Sequence, residues 1–191
     1  MANYIPTYSG THFTPTEPNA ASLHITDIAH ALSLICRGNG HVKTFFSVGQ
    51  HCIHCALEAQ ARGYSNRVIL ACLLHDAGEA YMSDVPRPLK PYISDYKVIE
   101  EKLLNAIYEK YLGSLLTTEE EALVQKVDDD MLYYDLWNLL NERSEEAAPK
   151  MMTAFSYEVL PFEVVEQKYL ELFQQYHTPY RESSFPSFEY A

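Results

Sequence analysis

The sequence predicts an all-α fold, and three observations carry that reading. Apolar residues return at helical spacing in segment after segment. Ser, Thr and Asn stand where those segments begin, and Gly or Pro where they stop. No segment alternates apolar and polar residues as a half-buried strand would. The 191 residues, 47% hydrophobic and 21% charged, suffice for one sizeable core. The expectation is about six main helices around a buried central one. They form a single domain over 23–178, with an irregular arm over 1–22 before it and a tail over 179–191 after it.

Ile25, Ile28, Ala29, Leu32 and Ile35 trace a first helix that ends near Cys36, broken by Gly38 and Gly40. Ser47 is placed to cap a second helix over roughly 48–62, before Gly63, and Ser65 or Asn66 to cap a third. The third contains VILACLLHDAG, apolar on every side until its end, as befits a helix enclosed by others. A loop with Asp84, Pro86, Pro88 and Pro91 leads to a helix from about Asp95 to Leu112, closed by Gly113. Thr117 with Glu120, or Thr118 with Glu121, opens a long helix through Val124, Val127, Met131 and Tyr134 to about Leu140. A last helix starts near Pro161 and runs through Val164, Tyr169, Leu172 and Tyr176.

The net charge of −12 makes the overall field repel nucleic acid duplexes and anionic membranes. A small anionic substrate remains compatible, because a bound cation and a few basic side chains reverse the potential within one pocket. No run approaches the length of a membrane span, and the first residues lack the basic start and apolar stretch of a signal peptide, so a cytoplasmic protein is expected. Cys36, Cys52, Cys55 and Cys72 fall in apolar helices and read as free, buried thiols. Cys52 and Cys55 form a CxxC, but neither a second ligand pair nor a preceding strand supports a zinc-finger or redox reading.

His75 and Asp76 carry the strongest chemical signal. Two such groups at the end of a buried apolar helix cost several kcal/mol unless a metal or a charge partner satisfies them. His51 lies as far before Gly63 as His75 lies after it, so an antiparallel hairpin of roughly 18 Å arms returns both imidazoles to one level. His51 borders the stripe Val48, Cys52, Cys55 and Ala59 and points between helices, whereas His54, beside Gln50 and Glu58, reads as exposed. On the long helix Asp128 shares the inward side with Val124, Val127 and Met131, while Asp129 and Asp130 rotate away. Two imidazoles and two carboxylates suit Mn, Fe, Co, Ni or Zn better than Mg or Ca.

The segments SVGQH at 47–51, LLHDAGEAYMSDVPRPLK at 73–90 and VQKVDDD at 124–130 resemble the HD-domain phosphohydrolases over roughly residues 24–140. DIAHALSLICRGNGH at 27–41 is similar to the compact, single-metal group that includes bacterial 5′-deoxynucleotidases. The resemblance implies an HD-domain helical bundle in which His51, His75, Asp76 and Asp128 bind one divalent transition metal ion. It further implies that Glu79 and Asp84 serve the proton transfers and that Arg37 contacts phosphate. Relatives of this group often pair, so a homodimer is expected. Gly38 stands where such relatives carry a large aromatic residue, and Gly49 where they carry Ala.

Helical phase agrees for Glu79, four residues after His75 and three after Asp76, as long as the helix continues that far. Lys90 adds a point charge from the same loop as Asp84. The expected activity is hydrolysis of a nucleotide phosphate, a 5′-deoxynucleoside monophosphate or a deoxynucleoside triphosphate. Two alternatives compete. A cyclic-nucleotide phosphodiesterase would recruit further His ligands for a second metal, and His41 and His54 do not match that pattern. A non-catalytic nucleotide or metal sensor has no use for Glu79 and Asp84.

Overall fold

The structure, a computed structural model, describes residues 3–140, 142, 145 and 147–177. The expected tail over 179–191 lies outside the described residues. Six helices carry the fold: α1 Ile25–Leu34, α2 Val48–Ala61, α3 Asn66–Leu74, α5 Tyr96–Leu112, α6 Thr118–Asp135 and α7 Phe162–Tyr176. The four-residue helix α4, Glu79–Met82, follows α3 after a turn. Among the described residues the one sheet is a two-stranded ladder of β1 Ile5–Pro6 and β2 His12–Phe13. The protein is mainly α, as its periodicity predicts. None of the described helices is long and apolar enough to cross a membrane.

Capping chemistry fixes where three of the helices begin. Ser47 Oγ accepts the Gln50 amide at 3.1 Å while Gln50 Oε1 accepts the Ser47 amide at 3.4 Å, a reciprocal box that opens α2. Thr117 and Glu120 make the same exchange at the start of α6. Ser65 caps α3 through the Val68 amide. Gly63, at φ +75°, makes the reversal between α2 and α3 that a side chain would strain. Every residue of α3 from Val68 to Leu74 is buried, and the helix touches α2, α5, α6 and α7. Burial of so many apolar side chains at one centre, each worth about 1.5–3 kcal/mol, holds the bundle together.

Gly49 has a packing reason. A Cβ added there would meet the Leu32 backbone at 3.2 Å and Val165 Cγ1 at 3.1 Å. The missing side chain lets α1 and α7 lie close against α2.

Three expectations need correction. The third helix does not run to Gly78: α3 stops at Leu74, because the Cys72 carbonyl that a continuing helix would offer to the Asp76 amide accepts His75 Nδ1–H at 2.8 Å. The arm over 1–22 is not irregular throughout. Its ladder buries Phe13 in the core, and the Thr7 and Ser9 hydroxyls and the Ser9 amide donate to the buried Asp27 carboxylate at 2.7–2.9 Å. His54 is not exposed. It lies buried against Phe46, Phe155 and Tyr157.

Those last two rings belong to residues 147–160, an extended strap without helical period that crosses α2. Glu58, fully buried, accepts Arg62 Nε at 2.8 Å, the Met152 amide at 2.9 Å and the Thr153 amide at 3.1 Å. Farther along, Gln50 Nε2 donates to the Glu158 carbonyl at 3.2 Å. Asp129 is exposed on α6, as its phase predicts, but Asp130 is buried: it pairs with Arg62 at the end of α2 at 2.9 Å and with Lys126. Replacing Glu58 strips the half-buried Arg62 guanidinium of one of its two carboxylate partners and leaves two strap amides unpaired. The variant Glu58→Ala should lose about 3–5 kcal/mol in urea unfolding, and a loss below about 1 kcal/mol would show that the strap is not anchored there.

Candidate metal centre

The equal arms around Gly63 do bring His51 and His75 level. His51 is fully buried, and each of its ring nitrogens has a distinct role. Nδ1 donates to Asp135 Oδ2 at 2.8 Å, which turns Nε2 toward His75 Nε2 at 3.3 Å and Asp128 Oδ1 at 3.1 Å. His75 is oriented the same way, its Nδ1–H spent on the Cys72 carbonyl. Two imidazole Nε2 atoms thus face each other with carboxylates beside them. Such a set fits a cation, and metal-binding imidazoles are commonly oriented by a partner on the other nitrogen.

The electrostatics agree. Burial opposes a charge on His75, but the Asp76 and Asp128 carboxylates outweigh it and raise that imidazole well above its ordinary value. Asp128 and Asp76 are held well below the usual carboxylate range: burial works against this, and the two imidazoles overcome it.

The four predicted ligands gather at one point, though not equally. His51, His75 and Asp128, together with Cys55, place one donor atom each within 4.8 Å of one another. Asp76 forms a second group with His75 and Cys52. Its Oδ2 lies 3.3 Å from His75 Nε2 and 3.8 Å from His51 Nε2, and it also meets the Arg37 guanidinium at 3.3 Å. The cluster of His, Cys and Asp side chains can hold a metal ion. Cys52 and Cys55, read from sequence as packing thiols, stand at its edge.

Beside the cluster opens a cleft of about 1190 Å³, lined among others by Arg37, Asp76, Glu79, Asp84, Lys90 and Asp128. Glu79 reaches it although the helix that was to carry it breaks, because α4 begins with Glu79 itself. Its Oε2 is buried without a hydrogen-bond partner among the described residues. Burial, then the charges of Asp76 and Asp84, push the Glu79 carboxyl up to about 10, so it carries a proton at neutral pH. Asp84 Oδ2 accepts the Gly38 amide at 3.2 Å. Arg37 donates to Asp76 at 3.3 Å and Asp135 at 3.4 Å, and Lys90 Nζ contacts Glu100 at 2.6 Å.

Sequence reasoning missed Asp135, Tyr157 and Arg87. Asp135 holds His51, takes the Tyr157 hydroxyl at 3.0 Å and meets Arg37. Its position was readable, since it lies two helical turns beyond Asp128 on the same face of α6. Tyr157 comes from the strap, where no periodicity signals a role. Arg87 contacts Asp128 Oδ2 at 2.5 Å and Asp129 Oδ1 at 2.9 Å from the proline-rich loop, and only the fold brings that loop across α6.

Among known proteins the chain is similar to the uncharacterized protein YfdR of Escherichia coli strain K12, with 44% identity over 144 residues, which cover 75% of this chain and 72% of that protein. It is also 32% identical over 126 residues to an uncharacterized protein of Rhodobacter capsulatus, covering 63% of this chain and 64% of the relative. No protein-family model matches the chain.

Two outcomes follow from the geometry. Asp135→Asn removes the charge that fixes the His51 tautomer, and metal affinity should fall about 10–100-fold while the circular dichroism of the fold is kept; unchanged affinity by competition titration would refute the role. Glu79 bears on stability with the opposite sign from an ion-paired carboxylate. Its folded value lies above its unfolded one, so between about pH 4.5 and about 10 the native state holds one more proton than the unfolded chain. Stability of the metal-free protein in urea unfolding should therefore fall with rising pH across that window. The slope should flatten in Glu79→Gln.

Proposed function

The chain belongs to the same family as Escherichia coli YfdR, and we propose that it hydrolyses nucleotide phosphates with one divalent transition metal ion. The substrates best suited are 5′-deoxynucleoside monophosphates or deoxynucleoside triphosphates. The observation that carries this reading is the convergence of two oriented imidazoles and two carboxylates at the wall of a cleft that also holds a protonated carboxyl. His51, His75, Asp128 and Asp76 would hold the ion, which when bound polarises the phosphoryl group and acidifies water.

The remaining chemistry belongs to the chain's own groups. Glu79 holds a proton at neutral pH, and its unpartnered Oε2 is free to deliver it to the departing sugar oxygen. Asp84, fixed by the Gly38 amide, accepts the proton of the attacking water as the new phosphorus–oxygen bond forms and the bond to the sugar oxygen breaks. Arg37 spends two of its five N–H donors on Asp76 and Asp135, which leaves others for phosphate oxygens. Arg87 and Lys90 add positive charge along the cleft.

Gly38, at φ +58°, presents no side chain to the cleft wall. The net charge of −12 supports a small nucleotide over a duplex, and we take the protein to act in the cytoplasm.

A product-resolved screen of nucleotides with Mn, Co, Ni, Zn and Mg tests the proposal. Release of nucleoside with phosphate or triphosphate is expected with at least one transition metal. Glu79→Gln should lower kcat by about 10²–10⁴-fold with nucleotide affinity retained. No turnover with any metal, together with tight nucleotide binding, would favour a sensor instead.

A further inference from the structure

We propose that Cys55 supplies a thiolate ligand to the bound ion, a sulfur donor beside His51, His75, Asp128 and Asp76 that favours zinc and cobalt over manganese. This inference rests on the metal reading above and adds to it the identity of one donor.

The placement is built into α2. Cys55 follows His51 by four residues, and side chains on a helix lean toward its N-terminus, so the Cys55 sulfur lies back over the turn that carries His51. It is 1% exposed. Its Sγ stands 3.5 Å from His51 Nε2, the nitrogen that faces the cluster, and away from Nδ1, which is committed to Asp135. Within 4.8 Å of one another lie the donors of His51, Cys55, His75 and Asp128.

Four donor separations lie close to those expected around one ion, and Cys55 lies within 4.8 Å of the His75 and Asp128 donors. Around an ion with metal–nitrogen and metal–oxygen distances of about 2.0–2.1 Å and a metal–sulfur distance of about 2.3 Å, donor pairs sit roughly 3.3–3.6 Å apart. The observed pairs are 3.3 Å for His51 to His75, 3.1 Å for His51 to Asp128, 3.6 Å for His75 to Asp128 and 3.5 Å for His51 to Cys55. Asp76 Oδ2 lies 3.3 Å from His75 and 3.8 Å from His51. A sulfur donor favours soft and borderline ions over manganese. Binding forms the metal–sulfur bond and releases the thiol proton to solvent.

The test is cobalt(II) titration of the purified full-length protein, followed by optical absorption and by X-ray absorption at the cobalt edge. Expected are an intense near-ultraviolet thiolate-to-cobalt band and a sulfur neighbour at about 2.3 Å. Cys55→Ser should lose both while still binding cobalt, and its zinc affinity should fall more than about 10-fold with manganese affinity unchanged. Cys52→Ser should keep the band.

Cobalt bound to the wild type without sulfur overturns the assignment of Cys55 and leaves the metal reading standing. A band that survives Cys55→Ser and vanishes in Cys52→Ser overturns it as well. Failure of the wild type to bind cobalt, zinc or manganese overturns both readings together. The wild-type spectra decide whether sulfur binds even if a variant fails to fold.

Discussion

The facing of His51 Nε2 and His75 Nε2 at 3.3 Å is the constraint around which the rest of the molecule is arranged. Both nitrogens are turned to the same point because the opposite edge of each ring is already occupied by a hydrogen bond. Two such nitrogens pressed together in a protein interior are unfavourable unless positive charge lies between or beside them. The low carboxylates of Asp76 and Asp128, the raised imidazole of His75 and the guanidinium of Arg37 all express the same demand for a cation at that point.

Holding such a cluster requires rigidity from elements far apart in sequence. The α2–α3 hairpin sets the level of the two rings, and α6 delivers Asp128 and Asp135 on one face. The strap fastens the far side. Its Tyr157 hydroxyl donates to Asp135 at 3.0 Å, and the same segment is pinned by Glu58 and Gln50 of α2. A chain of hydrogen bonds therefore runs from Tyr157 through Asp135 to His51, and from there to the cluster.

Helical periodicity made the bundle legible, because each helix carries a stripe or a full cylinder of apolar residues and most have a recognisable cap. The arm over the first residues and the strap were not, since their order comes from side chains of other elements: Asp27 for the arm and Glu58 for the strap. At the site, the spacing of His51 and His75 about Gly63 and the phase of Asp128 located three donors that the fold gathers. Glu79 was placed correctly for the wrong reason, since a turn and a second short helix bring it to the cleft. Cys55 is the free, buried thiol its stripe predicts, and only its neighbours in space set it at the edge of the cluster.

The strap also bears on the order of folding. Its contacts to Glu58 join residues 94 positions apart, whereas the α2–α3 hairpin closes locally around Gly63. Contacts of long sequence separation form late, after the entropy of closing a long loop has been met. On the ribosome the hairpin with its two histidines can assemble while Asp135 still lacks Tyr157. The last strut of the site thus arrives with the C-terminal third of the chain, and a nascent protein stays incomplete until that segment has emerged and swung back across α2.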